Sequence, residues 1–312
     1  MKNILLAGLA LIAVIGVLFY VISTRNDNDL DYNKPTTEVP TTPTATSTAT
    51  STATTTPVTE VDEKREAVAT IGKSVSGTDI KAYHFGEGDR ELLLIGGLHG
   101  GYSWNTAALA YELIDWLKKN PTVIPEGVSV TVIPVLNPDG LSEVTSATST
   151  FAAKDVKGTL AERTDSRFNQ NNVDLNRNFD CEWKASGTWQ SKTVSGGSAP
   201  FSEPETKALR DYVTKYEPSA VVAWYSAAGG VYASRCGDST MPATLTLMNK
   251  FAAAAKYTAY EEFDYYEITG DMVNWFAKEE IPAISVLLTT HEATELTKNQ
   301  AGVTALLEGL SR

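Results

Sequence analysis

Strand patterns alternate with helical patterns along the chain from about residue 61 onward. Leu92 to Ile95 is a continuous apolar run that stops at two glycines, which is typical of a strand covered on both faces. The segment 104–119 then repeats apolar residues at helical spacing and ends before Pro121. Such alternation predicts an α/β domain whose mostly parallel or mixed sheet has helices on both faces.

Further elements follow the same alternation. Strand patterns occur at 128–136, 220–224 and 283–288, and helical patterns occur near 241–257 and 271–279.

Two local signals mark boundaries between these elements. Ser202-Glu203-Pro204-Glu205 has the pattern of a capping box with an early proline, which predicts a helix from there to the residue before Pro218. Asn137-Pro138-Asp139-Gly140 has turn chemistry and is expected to close the strand at 128–136.

The first 60 residues predict a membrane anchor and a stalk. Residues 4–22 are apolar and uncharged, about the length that crosses a hydrocarbon core of roughly 30 Å. Residues 20–23 offer no small-x-small cleavage site, so an uncleaved anchor at 1–25 is favoured over a signal peptide. Residues 26–60 are rich in Thr and Pro and predict a disordered stalk. The domain at 61–312 is therefore expected outside the cytoplasm, membrane-anchored, or secreted if the N-terminus is cleaved.

The charge balance excludes one class of partner. The formal net charge is −12, and no cluster of Lys and Arg provides a local exception. A nucleic acid would be repelled by such a surface, so no nucleic-acid partner is expected.

Six segments of the domain resemble the zinc carboxypeptidase family, the carboxypeptidase A-like metallopeptidases. They occur in the family's order and read GGLHGGYSWN (96–105), NPDG (137–140), VDLNRNFD (173–180), FSEPET (201–206), WYSAAGG (224–230) and YEITGDMVNW (266–275). The resemblance implies a single α/β domain with a mixed, twisted sheet between helices. It also places an active site at the carboxyl ends of the strands.

The positions that the resemblance assigns to metal ligands are mostly changed. His99 matches the first ligand of a His/His/Glu zinc site. Ser103 stands where the glutamate is expected, or Tyr102 if the spacing is one residue shorter, and Tyr225 stands where the second histidine is expected. A hydroxyl and a phenol of pKa about 10 are poor zinc ligands. The family implies zinc as the cofactor, and these residues predict that it is bound weakly or not at all.

The expected general base is also missing. The resemblance places a glutamate in the strand near the C-terminus, and Leu287 occupies that position. General bases contribute on the order of 10² to 10⁴-fold to a rate. Glu292 and Glu295 come later in the chain and are expected to be solvated loop carboxylates.

The residues that would hold a substrate are retained. Asn176 and Arg177 match the family's pair that binds the terminal carboxylate of a peptide, and Tyr266 matches its mobile tyrosine. Arg167, in preference to Arg163, matches its carbonyl-polarising arginine. An arginine suits a carboxylate because two parallel charged hydrogen bonds fix its orientation.

The two cysteines lie beside these segments. Cys181 directly follows the NRNFD loop, and Cys236 follows the GVYAS strand. A disulfide could join the two walls of the site if the domain is extracytoplasmic, and two buried free thiols are the alternative.

Three functions remain open at this stage. The leading hypothesis is an anchored pseudo-peptidase that binds peptide C-termini, including those of cell-wall stem peptides, without hydrolysing them. The second is an active metallocarboxypeptidase with a relocated zinc site, in which His291 or His84 joins His99. The third is a structural surface protein in which the pocket is vestigial.

Overall fold

The computed structural model describes residues 65–147, 150–237 and 239–311, all within one compact unit, Val61–Arg312. The predicted membrane anchor and stalk lie outside the described residues. Within the described ranges, no helix combines the length and the apolar character needed to span a bilayer.

A mixed eight-stranded sheet forms the centre of the domain. Its strands are β1 (Val68–Lys73), β2 (Asp79–Gly86), β3 (Arg90–Ile95), β4 (Val128–Ile133), β7 (Ala220–Ser226), β8 (Gly230–Ala233), β9 (Ala259–Tyr260) and β10 (Ala283–Leu288). A separate antiparallel hairpin consists of β5 (Ser186–Trp189) and β6 (Lys192–Ser195).

The strand order is β1-β2-β4-β3-β7-β10-β8-β9. The four central strands β4, β3, β7 and β10 run parallel, and the antiparallel strands β2 and β8 flank them. The carboxyl ends of β3, β7 and β10 therefore meet at one edge of the sheet. Residues that follow these strands are brought together there.

Helices cover both faces of this sheet. They are α1 (Trp104–Lys119), α2 (Pro138–Ser142), α3 (Pro204–Tyr216), α4 (Pro242–Ala255), α5 (Met272–Lys278) and α6 (Leu296–Leu310). Apolar residues of α1, α4 and α6 pack on one face, and those of α3 and α5 pack on the other. Because both faces are covered, the central strands are buried along almost their whole length. The predicted mixed α/β domain is confirmed.

Two boundary predictions need correction. Glu203, not Ser202, caps α3, and its side chain makes no capping hydrogen bond. Its carboxylate instead accepts hydrogen bonds from Asn169 and Asn171, so tertiary contacts replace the predicted capping box. The predicted turn after β4 begins the short helix α2, which Asn137 caps by accepting a hydrogen bond from the backbone N–H of Gly140.

Candidate functional site

A cleft of about 920 Å³ opens at the carboxyl ends of β3, β7 and β10. His99, which follows β3, lines the cleft together with Tyr225 of β7 and Leu287 of β10. Arg167, Asn176, Arg177 and Tyr266 also line it. The structure thus gathers most of the predicted site residues, which are far apart in the sequence, around one cavity.

The first wall, called here the metal-position wall, consists of His99, Tyr225 and Leu287. Tyr225 and Leu287 are paired in register on neighbouring parallel strands, so their side chains lie on the same face of the sheet. The rings of His99 and Tyr225 are 5.5 Å apart, centre to centre. The predicted ligand and base positions are therefore adjacent.

His99 is 5% exposed, and neither of its ring nitrogens has a hydrogen-bond partner among the described residues. Burial, together with the nearby guanidinium of Arg167, lowers the pKa of His99 well below its usual value. The imidazole is therefore neutral and offers one donor and one acceptor.

Tyr225 carries a neutral phenol. Burial raises its pKa well above the usual value, and Asp271 adds to the effect. Its hydroxyl lies 3.4 Å from Oδ1 of Asn176, a long hydrogen bond. A phenol in this state does not replace an imidazole as a zinc ligand.

Ser103 is the N-cap residue of α1 and is buried. Its hydroxyl has no hydrogen-bond partner in the described part of the chain. Tyr102, its neighbour, lines the cleft and contacts the rings of Trp189 and His291.

The residues around His99 do not fit a His/His/Glu zinc site. Within the described ranges, no three His, Cys, Asp or Glu side chains are grouped closely enough to hold a metal ion. The carboxylate beside His99 is Asp174, 3.9 Å from Nε2, and it is engaged by Arg167. Among the other histidines, His291 lines the cleft, whereas His84 on β2 faces Thr131.

The second wall, called here the arginine wall, consists of Arg167, Asp174, Asn176, Arg177 and Asp271. Arg177 is 1% exposed. Its Nε and Nη2 groups donate to the carbonyl of Thr188 at 3.2 and 2.6 Å, and Nη1 donates to its neighbour's carbonyl at 2.7 Å. It has no ion-pair partner among the residues whose structure is described. A buried guanidinium without a carboxylate is a ready anion site.

Arg167 is already paired. Its Nε and Nη2 groups lie 3.0 and 2.9 Å from Oδ2 of Asp174, and its guanidinium stacks over the Trp189 ring at 4.3 Å. Arg163, the alternative in the sequence, pairs instead with Glu292 at 2.6 Å.

Asn176 and Asp271 brace this wall. Asn176 donates through Nδ2 to Asp271 at 2.6 Å, and its Oδ1 accepts from the backbone N–H of Met272 at 3.1 Å. Asp271 also caps α5 by accepting from the N–H of Asn274. Burial raises the pKa of Asp271, while hydrogen bonds and Arg177 act against that rise. The amide of Asn176 therefore serves mainly to position the wall.

Two glycines enclose Arg177. A Cβ at Gly187 would approach Cδ of Arg177 to 2.8 Å, and a Cβ at Gly270 would overlap its backbone carbonyl. Gly270 also has a φ of +62°, which other residues rarely adopt. Close contacts from two separate segments therefore restrict the side chain and the backbone of Arg177.

The far side of the cleft is linked to this wall. Tyr266 lies with its ring centre 5.9 Å from the guanidinium carbon of Arg177. Cys181 and Cys236 form a disulfide, which joins the segment after the Arg177 turn to the segment after β8.

The family profile of the zinc carboxypeptidases matches residues 58–296. This chain belongs to the zinc carboxypeptidase family. Carboxypeptidase B of Astacus astacus is 27% identical over 48% of this chain and 50% of its own length. The γ-D-glutamyl-L-diamino acid endopeptidase 1 of Lysinibacillus sphaericus is 24% identical over 67% and 57%. The chain thus spans between half and three-fifths of the length of these curated relatives.

Solved structures share the fold of this zinc carboxypeptidase domain. The murein-tripeptide amidase of Escherichia coli O157 superposes with a TM-score of 0.54 at 19% identity, covering 80% of this chain and 93% of its own. Bovine thrombin-activatable fibrinolysis inhibitor gives a TM-score of 0.60 at 17% identity, covering 78% and 88%. At these identities the similarity shows the fold alone.

Proposed function

We propose that this member of the zinc carboxypeptidase family binds peptides by their C-terminal carboxylate and does not hydrolyse them. The observation that carries the proposal is Arg177, a buried cation without an ion-pair partner among the described residues, in a cleft whose metal-position wall holds Tyr225 and Leu287. The cleft therefore keeps the means to bind an anion. The groups that would activate water beside it are changed.

Binding would use the hydrogens that the wall has not committed. A guanidinium has five N–H donors, and Arg177 uses three of them on backbone carbonyls. The two remaining N–H groups would donate to the carboxylate of the peptide. The site is buried, and charged hydrogen bonds are strong there. Tyr266, beside the guanidinium, would cover the bound end of the peptide.

The metal of the family enters no step of this proposal. When bound in a zinc carboxypeptidase, the ion supplies a polarised water to the reaction. The donor set around His99 does not fit that ion, so we derive no hydrolytic step for this chain.

The class of peptide is part of the proposal. The relatives include an amidase described as acting on a murein tripeptide and an endopeptidase named for a diamino acid. We propose that stem peptides of the cell wall are among the ligands, in a domain held outside the cytoplasm by residues 1–25. The disulfide supports that location, because such bonds persist in oxidising compartments.

The proposal is tested by titrating the purified full-length chain with fluorescent tetrapeptides that have a free or an amidated C-terminus. We expect the free acid to bind about tenfold or more tightly, because charged hydrogen bonds contribute roughly 1.5–3 kcal/mol. Arg177→Gln should remove this preference.

Arg235→Gln is the matched control, since Arg235 also lines the cleft but is partly exposed and paired with Glu262. Equal binding of free and amidated peptides by the unaltered chain would contradict the proposal and favour a structural role. Peptide hydrolysis that a chelator abolishes would instead favour a relocated zinc site involving His291.

A further inference from the structure

A buried carboxylate lies outside the cleft, at the opposite end of a strand that leads to it. Glu91 is the second residue of β3, and the rest of that strand, Leu92 to Ile95, is apolar. The side chain of Glu91 is 1% exposed. The cleft opens at the carboxyl end of β3, whereas Glu91 lies at its amino end. A carboxylate in such surroundings is costly to bury unless a cation and hydrogen-bond donors compensate its charge.

Neutral groups orient this carboxylate. Oε1 of Glu91 accepts a hydrogen bond from the hydroxyl of Tyr212 on α3 at 2.8 Å. The same hydroxyl lies 2.8 Å from Oγ1 of Thr131, which in turn lies 2.8 Å from Nδ1 of His84. With the proton of the neutral imidazole on Nδ1, each group donates to the next, and this chain of hydrogen bonds ends on Glu91. None of these groups is a cation, so they orient the carboxylate without neutralising it.

Among the described residues, Arg65 is the cation that neutralises Glu91. Its Nη1 group forms an ion pair with Oε2 of Glu91 and lies 3.4 Å from the hydroxyl of Tyr212. Its guanidinium carbon is 3.9 Å from the centre of the Tyr216 ring. Tyr212 and Tyr216 are four residues apart on one face of α3, and their ring centres are 4.7 Å apart. An aromatic face beside a buried carboxylate favours the planar guanidinium ion over a compact ammonium ion.

The three residues that receive this guanidinium, Glu91, Tyr212 and Tyr216, are called here the Glu91 site. They belong to a central strand and to a helix packed on the sheet, whereas Arg65 is the first residue that the structure describes. The strand β1, at the edge of the sheet, begins three residues after Arg65. The side chain of Arg65 is 30% exposed. The core of the domain therefore forms the site, and the segment before an edge strand supplies its occupant.

We propose that the Glu91 site is a guanidinium-binding site, which Arg65 occupies in this chain and which accepts an arginine side chain of another molecule when Arg65 is withdrawn. The inference is independent of the proposed function, because none of the three residues of the site lines the cleft. Arg65 closes the site as a clasp, so the site becomes available to a partner only when the segment before β1 leaves the domain.

The test supplies a guanidinium ion from solution to a chain that lacks its own. The midpoint of thermal unfolding, Tm, is measured for the full-length variant Arg65→Ala over a concentration series of methylguanidinium or methylammonium chloride. We expect Arg65→Ala to lower the Tm, because Glu91 is then buried without a cation. Methylguanidinium should raise this Tm by about 2–4 °C once its concentration exceeds its Kd severalfold. Methylammonium should raise it less than half as much.

Three further chains distinguish binding at the Glu91 site from a general effect of salt. The unaltered chain should show no rise, because Arg65 fills the site. Arg65→Ala/Glu91→Gln should show none either, and its Tm should exceed that of Arg65→Ala, because the unpaired buried charge is gone. Arg210→Ala is the matched control, since Arg210 also lies on α3 but pairs with the exposed Asp211. It should keep nearly the Tm of the unaltered chain and should not respond to methylguanidinium.

The other outcomes contradict the proposal. No rise in Arg65→Ala, or an equal rise in all four chains, would overturn the site. An equal rise with methylammonium would overturn the assignment of guanidinium as its ligand. If Arg65→Ala does not fold, the same series is applied to Arg65→Gln, which keeps most of the aliphatic stem. If neither variant folds alone, recovery of the circular-dichroism spectrum by methylguanidinium and not by methylammonium supports the proposal, and no recovery contradicts it.

Discussion

The two walls of the cleft differ in how their polar groups are satisfied. In the arginine wall, Asp174 forms an ion pair with Arg167. Asp271 accepts a hydrogen bond from Asn176 and also caps a helix. In the metal-position wall, the His99 ring nitrogens have no partner among the described residues, and Leu287 offers none. A buried polar group without a partner costs about 1–3 kcal/mol. The carboxylates of the arginine wall therefore have their partners within the free protein, whereas the imidazole of the metal-position wall has none among the described residues.

The largest expected effect comes from restoring the metal-position wall. The variant Ser103→Glu/Tyr225→His/Leu287→Glu should bind zinc roughly a hundredfold or more tightly than the unaltered chain, because three ligands then surround one ion with a carboxylate beside it. It should also gain some peptide hydrolysis, since the arginine wall is already in place. Zinc per chain is measured by elemental analysis after dialysis.

Single restorations are the control, because one ligand alone leaves the site incomplete. A second triple variant carries Tyr102→Glu in place of Ser103→Glu and decides which residue of the GGYSW turn holds the ligand position. If both triple variants fold and neither retains zinc, the alignment of positions 225 and 287 with a metal site is wrong.

A second difference between the walls concerns stability. Asp174→Asn leaves the buried guanidinium of Arg167 without its counter-ion and should lower the free energy of unfolding by about 3–5 kcal/mol. Tyr225→Phe removes a hydroxyl whose hydrogen bond is 3.4 Å long. This substitution should change the free energy of unfolding by less than about 1 kcal/mol. Urea unfolding of both variants measures the difference in the free energy of unfolding. Equal losses in the two variants would mean that the polar groups of the two walls contribute equally to stability.

The smallest expected effect lies outside both walls and gives their baseline. Burial, with the nearby Arg65 cation, lowers the pKa of His84 to about 4. Its unfolded pKa is about 6.5, so the unfolded chain binds more protons between these values, and stability is lost as the pH falls through that range. Because solvent reaches part of the ring, we expect the free energy of unfolding to fall by only about 1–2 kcal/mol over this pH range.

The variant His84→Gln removes the titrating group and should flatten this slope. Free energies of unfolding at about pH 7 and about pH 4.5 provide the measurement. If the free energy of unfolding of the variant depends on pH as in the unaltered chain, a group other than His84 causes the acid sensitivity. The two walls would then have to be compared at neutral pH alone.

Much of the fold could be predicted because its central elements are long and apolar. The helix Trp104–Lys119 and the strand Ala283–Leu288 have the predicted bounds. The strands β1 and β2 and the hairpin of β5 and β6 were not predicted, because they are partly exposed. Their formation depends on pairing with distant segments, which a local pattern does not reveal.

The same distinction applies to the site. Arg177 and Tyr266 were predicted as substrate-binding residues from their positions in sequence motifs, and both line the cleft. Asp174 and Asp271 lie within quoted motifs, yet their roles as partners of Arg167 and Asn176 were missed. Asn176 and Asp271 are 95 residues apart, so no spacing rule connects them. The sequence favoured Arg167 over Arg163, and of these two residues Arg167 lines the cleft.

The close fit around Arg177 has a consequence for how this lineage can change. Gly187 and Gly270 come from different segments, and a side chain at either position would displace the arginine. Under the proposed function, we expect substitutions in descendants of this gene to accumulate first at positions 225 and 287, and a substitution at either glycine to mark lineages that do not bind a carboxylate.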